Sequence, residues 1–174
     1  MGKVMGRVMK KEKCNECGHA ATVTRGDYRF DEMGLPVVLR KVEIIQCSEC
    51  GTTEPVIPHM NGLMDTLALA VVCQPCRLQG NELRFLRTYA GKSAKDFAAL
   101  VHLDNTTLSK MENGERVIGP QTDKLVRLLV LNMSPELSGK VGEFIAMMPD
   151  IDDDPCGDPP RISINPATMH YQYA

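Results

Sequence analysis

Two stretches decide the fold of the N-terminal region, CNECG at residues 14–18 and CSECG at residues 47–51. Each is a Cys-x-x-Cys-Gly knuckle that puts two thiols on a tight turn, and its glycine tolerates the backbone conformation that such a turn needs. Four thiolates around one ion form the usual tetrahedral ligand set of structural zinc. The pattern therefore predicts one Zn²⁺ held by four ligands, Cys14, Cys17, Cys47 and Cys50.

Two disulfides are the alternative interpretation of these cysteines, and disulfides are typical of secreted chains. The N-terminus, MGKVMGRVMKKEK, is basic but has no apolar run of signal-peptide length, and no stretch approaches the length of a transmembrane helix. We therefore expect a cytoplasmic protein with reduced thiols and no membrane partner, a setting that favours metal. Four sulfurs leave no open coordination position, so the expected role of the zinc is structural.

Strand signals fill the segment between the knuckles. The β-branched and aromatic residues of 20–30 predict one strand, residues 31–34 read as a turn, and residues 37–45 predict a second strand. A hairpin of two strands is marginal in water. Zinc at both of its ends would stabilise it, because the free energy of metal binding becomes free energy of folding.

Helix signals dominate the second half. Residues 61–72 predict a connecting helix capped by Asn61, followed by a polar turn over 74–80. Residues 81–132 predict four short helices, with Leu125, Leu128 and Leu129 on the inner face of the fourth. Residues 134–148 predict one more helix. The predicted helix starts are Asn81, Ser93 (with Asp96), Asp104, Gly119-Pro120 and Ser134.

These elements predict an α+β chain with a small zinc-knuckle hairpin domain at 1–58, a linker helix and turn at 59–80, an all-α helix-turn-helix domain at 81–148, and an acidic, proline-rich tail at 149–174. Residues 150–160 are expected to be flexible, and residues 161–174 either dock as a strand or stay loose. Charge is unevenly spread: net +4 over 1–13, net +3 over 77–127 and net −6 over 136–158. A basic region can bind DNA although the whole chain has a net charge of −2.

The second and third helices of residues 81–132, joined by a tight turn at 101–103, predict a helix-turn-helix. Its third helix would enter the major groove. The outward residues on that helix are Asn105, Thr106, Ser109 and Lys110, which suit base edges. The flanking residues Lys95, Asn113 and Arg116 suit phosphates. A small helical bundle with a merely solvated third helix is the alternative.

Residues 93–114, SAKDFAALVHLDNTTLSKMENG, resemble the helix-turn-helix of the lambda-repressor-like (Xre) family. The order of two knuckles, a hairpin containing GLPVVL (34–39), LRFLR (83–87) and this motif is similar to MqsA-type, or YgiT-type, zinc-finger antitoxins. The resemblance covers about residues 14–132. One departure is His102, because this turn usually holds Gly, and another is the acidic tail.

The resemblance implies a homodimer that binds a palindromic operator in double-stranded DNA and represses its own operon. It also implies a small toxin protein as a partner of the N-terminal domain. By position, the DNA contacts fall on Asn105, Thr106 and Lys110, and the four knuckle cysteines match the zinc ligands.

Three further cysteines leave alternatives open. Cys73 and Cys76 form a third Cys-x-x-Cys, which could be a redox pair, a metal half-site, half of a site shared across a dimer, or two ordinary cysteines. Cys156 is expected to be a lone thiol.

Three function classes compete. The first is a DNA-binding transcriptional regulator, and the second is a zinc-stabilised protein-interaction module in which DNA binding is secondary. An enzyme is not expected, because the sequence shows no open metal site, no phosphate-binding glycine loop and no paired nucleophile and base.

Overall fold

A computed structural model describes residues 11–155 and 160–173 of the chain. Eight strands and six α-helices lie in these ranges. The strands are β1 (Lys11–Lys13), β2 (Ala20–Phe30), β3 (Val37–Gln46), β4 (Thr53–Val56), β5 (Cys76–Arg77), β6 (Asp152–Pro155), β7 (Ile162–Asn165) and β8 (His170–Tyr173). The helices are α1 (Met60–Val72), α2 (Gly80–Tyr89), α3 (Ala94–Leu100), α4 (Asn105–Glu112), α5 (Pro120–Met133) and α6 (Val141–Met147). Short 3-10 turns at Ser138–Lys140 and Met148–Asp150 flank α6.

The predicted hairpin is the centre of the larger sheet. Strands β2 and β3 pair antiparallel from Phe30↔Val37 to Thr22↔Gln46, and Gly34 takes a left-handed φ of 68° in the turn between them. β1 pairs with the outer edge of β2. The other edge of β3 is shared, because β7 pairs with its first residues and β4 with its last. Four side chains of β3 are buried in the core, Val37, Leu39, Val42 and Ile44, and the alternation shifts by one residue at Lys41, which has a left-handed φ of 54°.

The C-terminal residues join this sheet. β7 runs parallel to β3 in the register Val37↔Ile162 to Leu39↔Ile164, and β8 returns antiparallel to β7. The Tyr173 hydroxyl also donates a hydrogen bond to the Ala70 carbonyl at 2.7 Å, which attaches β8 to α1. Of the two alternatives for residues 161–174, docking as a strand is therefore correct.

Residues 152–155, expected to belong to a flexible acidic segment, form β6 instead. It pairs parallel with β5, and the Asp152 N–H donates to the Pro75 carbonyl at 2.8 Å. β5 also replaces part of the polar turn predicted over 74–80. Cys156 and the rest of 156–159 lie outside the described residues, as do residues 1–10.

Local start and stop signals were correct for the helices of the helix-turn-helix. Ser93 accepts a hydrogen bond from the Asp96 N–H at the start of α3, and Asp104 accepts one from the Thr107 N–H at the start of α4. Gly114 follows α4 with a left-handed φ of 74°. Pro120 occupies the first turn of α5.

Three predicted caps are wrong. The N-cap of α1 is His59, so Asn61 already lies inside the helix. Helix α2 begins at Gly80, and the Glu82 carboxylate accepts a hydrogen bond from the N–H of its N-cap, Gln79, at 2.7 Å. Ser134 is the C-cap of α5, and the predicted helix 134–148 is in fact a turn followed by α6.

The inner face of α5 also differs from the prediction. Leu125 is 38% exposed, and Leu128 and Leu129 are only partly buried. The buried side chains are Val126, Val130 and Leu131, together with the ion pair Asp123–Arg127. Leu128 and Leu129 still pack against the edge of the core, so the prediction is wrong mainly for Leu125.

One apolar core runs through the sheet and the helices. Phe30 and Leu39 from the hairpin, Leu67 from α1 and Leu86 from α2 belong to a single buried cluster. The fold class is α+β: a sheet region with four clustered cysteines, followed by a helical helix-turn-helix domain. None of the helices in the described ranges has the length and hydrophobicity needed to span a bilayer.

Candidate metal centre and nucleic-acid interface

The four knuckle cysteines converge on one point. Their Sγ atoms all lie within 4.8 Å of one another. The Cys14–Cys50 and Cys17–Cys47 sulfurs are each 3.5 Å apart. A tetrahedral ion with Zn–S bonds of about 2.3 Å requires sulfur–sulfur edges of roughly 3.8 Å, so the cluster has the size of a four-thiolate metal site. All four are free cysteines, which excludes disulfides among them here.

Each knuckle is shaped by its own backbone. The Gly18 N–H donates to the Cys14 carbonyl at 2.9 Å, and the Gly51 N–H donates to the Cys47 carbonyl at 3.0 Å. Both glycines are left-handed, with φ of 74° and 76°. A Cβ group would be strained at that φ, which explains why glycine follows each Cys-x-x-Cys.

The pKa values within the cluster indicate that a cation is needed for all four thiols to ionise. The Thr52 hydroxyl and the Thr52 N–H hydrogen-bond to Cys50 and lower the pKa of that thiol to about 6. At Cys17 the His19 backbone acts to lower the pKa, but burial and the three neighbouring sulfurs raise it to about 12. Four adjacent thiols cannot all ionise without a positive charge between them, and a divalent ion supplies that charge.

Helices α3 and α4 form a tight pair. Phe97 from α3 and Leu108 from α4 are both fully buried, and Val101 and Met111 belong to the same buried cluster. His102 takes the left-handed φ of 53° in the turn, at the position where Gly is usual, and the Leu103 N–H donates to the Ala98 carbonyl at 2.9 Å. Histidine can therefore make this turn, at some cost in strain.

The end of α4 is anchored to α2, a feature that the sequence analysis missed. Glu112 is 6% exposed and accepts two hydrogen bonds from Arg87, at 2.6 and 3.0 Å. Arg84 reaches Glu112 at 3.4 Å and the Asn113 side-chain oxygen at 2.6 Å. The sequence did contain a signal for this contact: two arginines lie one helical turn apart on α2, and one glutamate lies in the last turn of α4.

Gly80 makes the contact between α2 and α4 especially close. A Cβ atom at this residue would lie 2.5 Å from the Met111 carbonyl oxygen and 2.6 Å from that of Glu112. The start of α2 therefore meets the last carbonyls of α4, an arrangement that the opposite signs of the two helix ends favour.

Comparison with protein families agrees with this geometry. Residues 80–132 match the family model of a helix-turn-helix domain. This region contains α2, α3, α4 and all but the last residue of α5, and α4 is its third helix. A comparison with curated proteins finds no match, and neither does a comparison with solved structures. The helix-turn-helix domain is of a kind that DNA-binding regulators carry.

The residues predicted to contact DNA lie on or beside α4. The four on the helix itself are all exposed: Asn105, Thr106, Ser109 and Lys110. Lys95 is exposed on α3. Asn113 and Arg116 are also exposed, but each has a partner in the protein, Arg84 for Asn113 and the Thr107 hydroxyl at 3.3 Å for Arg116.

The third Cys-x-x-Cys is not a bonded pair. Cys73 is a free thiol, whereas Cys76 is disulfide-bonded, so the expectation of reduced thiols is wrong for Cys76. Burial raises the pKa of Cys73. Among the described residues, neither cysteine belongs to a group of three or more metal-ligating side chains.

Proposed function

We propose that this chain is a zinc-containing transcriptional regulator that binds specific DNA sequences through α4. The observation that carries the proposal is the helix-turn-helix match over residues 80–132, with a third helix that exposes four polar side chains, Asn105, Thr106, Ser109 and Lys110. In this proposal Asn105, Thr106, Ser109 and Lys110 read base edges in the major groove, and Lys95, Asn113 and Arg116 hold phosphates.

Zn²⁺ is the proposed ion of the cysteine cluster. Four thiolates at tetrahedral spacing are soft ligands that suit zinc, and they leave no position for a substrate. The metal would tie the start of β2 to the end of β3, so it stabilises the hairpin and performs no chemistry. No enzymatic activity is proposed.

The proposed assembly is a cytoplasmic homodimer on a palindromic operator, with half-sites about 34 Å apart. Leu125 on α5 and Ile145 on α6 are apolar side chains that are 38% and 54% exposed, and they supply candidate dimer contacts. Autorepression and the antitoxin class, with a small toxin protein as partner, are proposed from the arrangement of knuckles and helix-turn-helix. A zinc-stabilised protein-interaction module is the alternative.

The test is binding of the zinc-loaded protein to DNA from just upstream of its own gene, against unrelated DNA, across a salt series. We expect preferred binding of the upstream DNA that survives competitor. Lys110→Ala should lose about 1–3 kcal/mol of affinity for this site. Lys140→Ala, which removes a half-buried lysine paired with Glu143 outside the matched region, should bind as the wild type does.

The outcomes separate the two candidates. A uniform loss on all DNA, with a salt slope reduced by about one, would make Lys110 a phosphate contact rather than a base contact. Weak, salt-sensitive binding that is equal on both DNAs would contradict autorepression and favour the interaction module.

A further inference from the structure

A pocket of about 540 Å³ lies between the β2–β3 turn, α1 and α2. This volume is in the range of small-molecule sites, roughly 300–1,000 Å³. The pocket shares none of the residues proposed to contact DNA or zinc. The side chains used in the argument are Glu32, Met33, Met64, Asp65, Phe85 and Tyr89.

Apolar atoms make up most of the surface that lines the pocket. Met33 and Met64 contribute flexible thioethers, which adapt to ligands of irregular shape. Phe85 and Tyr89 stack with ring centroids 6.3 Å apart. Aromatic faces attract a cation that is placed over them. Such a lining suits an apolar organic molecule, including one that carries a positive charge.

The charged side chains of the lining determine whether a ligand should carry a positive or a negative charge. Two carboxylates, Glu32 and Asp65, line the pocket with one guanidinium, Arg84. The Arg84 guanidinium is hydrogen-bonded to residues outside the pocket, because it donates to Glu112 and Asn113. The net charge of the lining is therefore negative, and its cation already has a carboxylate partner.

Asp65 is held in place at the pocket. The Tyr89 hydroxyl donates to Asp65 Oδ1 at 2.7 Å, and Ser134 lies 2.9 Å from the same hydroxyl. Burial raises the pKa of Tyr89 to about 12, so the hydroxyl keeps its proton at neutral pH. A carboxylate fixed beside two aromatic rings is a suitable counter-ion for an organic cation.

We propose that this pocket is a binding site for an amphipathic organic cation, with Glu32 and Asp65 as the charge-recognising groups. The site is independent of the proposed DNA function. It nevertheless lies one side chain from α4, since Arg84 both lines the pocket and contacts the end of that helix.

The test uses two probes of similar shape and opposite charge, tetraphenylphosphonium and tetraphenylborate. Each is titrated into the zinc-loaded full chain by calorimetry, without DNA. We expect the phosphonium to bind and the borate to bind at least about tenfold more weakly, because neutral contacts are shared and only the charge differs.

Two matched variants locate the site. Met33 lines the pocket and is 38% exposed, whereas Met60 is 45% exposed and does not line it. Neither side chain belongs to the buried core cluster, so neither replacement removes core packing. Met33→Lys should weaken phosphonium binding by about tenfold through like-charge repulsion, and Met60→Lys should leave it unchanged.

Three results would overturn the proposal. The first is no phosphonium binding by the wild type, and the second is equal or tighter binding of the borate. The third is an equal response of the Met33→Lys and Met60→Lys variants, which would place the probe elsewhere. Because DNA is absent from the assay, failure here leaves the proposed regulator function intact.

Discussion

Replacing Arg127 by methionine should be among the most destabilising single substitutions in this protein. Its guanidinium is fully buried and donates to the Val72 and Gln74 carbonyls at 2.8 Å each and to the Cys76 carbonyl at 2.6 Å. It also pairs with Asp123, with Nε 3.0 Å from Oδ2. One side chain therefore joins α5 to the end of α1 and to β5.

The expected cost follows from what the methionine leaves behind. Asp123 is 1% exposed and would keep only the Leu78 N–H, at 2.7 Å, of its present partners. Removing one partner of a buried ion pair costs about 3–5 kcal/mol, because the remaining charge stays buried without compensation. For a chain of this size that loss lowers the Tm by roughly 6–20 °C.

The assay is urea unfolding of the zinc-loaded protein, followed by circular dichroism. Arg29→Met is the matched control, since Arg29 forms its ion pair with Asp31 at the surface, with a side chain that is 81% exposed. An exposed pair contributes about 0–1 kcal/mol. Combining Arg127→Met with Asp123→Asn should recover part of the loss, because the stranded charge is gone. The reasoning is refuted if Arg127→Met costs no more than Arg29→Met.

Three further predictions concern the helix-turn-helix and the metal. Gly80→Ala should destabilise the fold by about 1–3 kcal/mol and weaken DNA binding, because the added Cβ would meet carbonyl oxygens of α4. Gly142→Ala is the control and should not destabilise the fold, because a Cβ at Gly142 has open space around it. Equal unfolding midpoints for the two variants would contradict the close contact. Asp104→Ala should lower the urea midpoint, because α4 loses the hydrogen bond that the Asp104 side chain accepts from the Thr107 N–H, and an unchanged midpoint would show that the cap contributes nothing. Metal analysis should find one zinc per chain. The Cys14→Ser variant should lose both the metal and the β-sheet signal in circular dichroism. A metal-free wild type with an intact sheet would exclude a structural zinc.

Local signals explain what the sequence predicts well. The geometry of some features depends only on residues a few positions apart, so the amino-acid sequence alone predicts it. These features are the two knuckles, the helix caps Ser93 and Asp104, and Pro120. The same holds for β2 and β3, whose β-branched runs are bounded by a knuckle and by a turn. The packing of α3 on α4 follows from these starts and from the apolar spacing between them.

Contacts between distant residues explain what the sequence missed. The parallel pairing of β7 with β3 joins residues more than a hundred positions apart. The short sequence Ile162–Asn165 contains no pattern that predicts which strand it pairs with. The inner face of α5 was predicted from its leucines alone, and no role was assigned to Asp123 and Arg127 from the sequence. Burial of that pair depends on carbonyls supplied by α1 and β5, which no local pattern reveals.

Selection of binding sites from a pool of random DNA duplexes tests the central claim most directly. The zinc-loaded protein should enrich a two-fold symmetric sequence whose half-sites lie about 34 Å apart, one turn of DNA. Lys110→Ala should enrich a site with relaxed preference at one position of each half. Recovery of no common sequence by the wild type, or of the same sequence with the same preferences by the variant, would contradict base reading by α4.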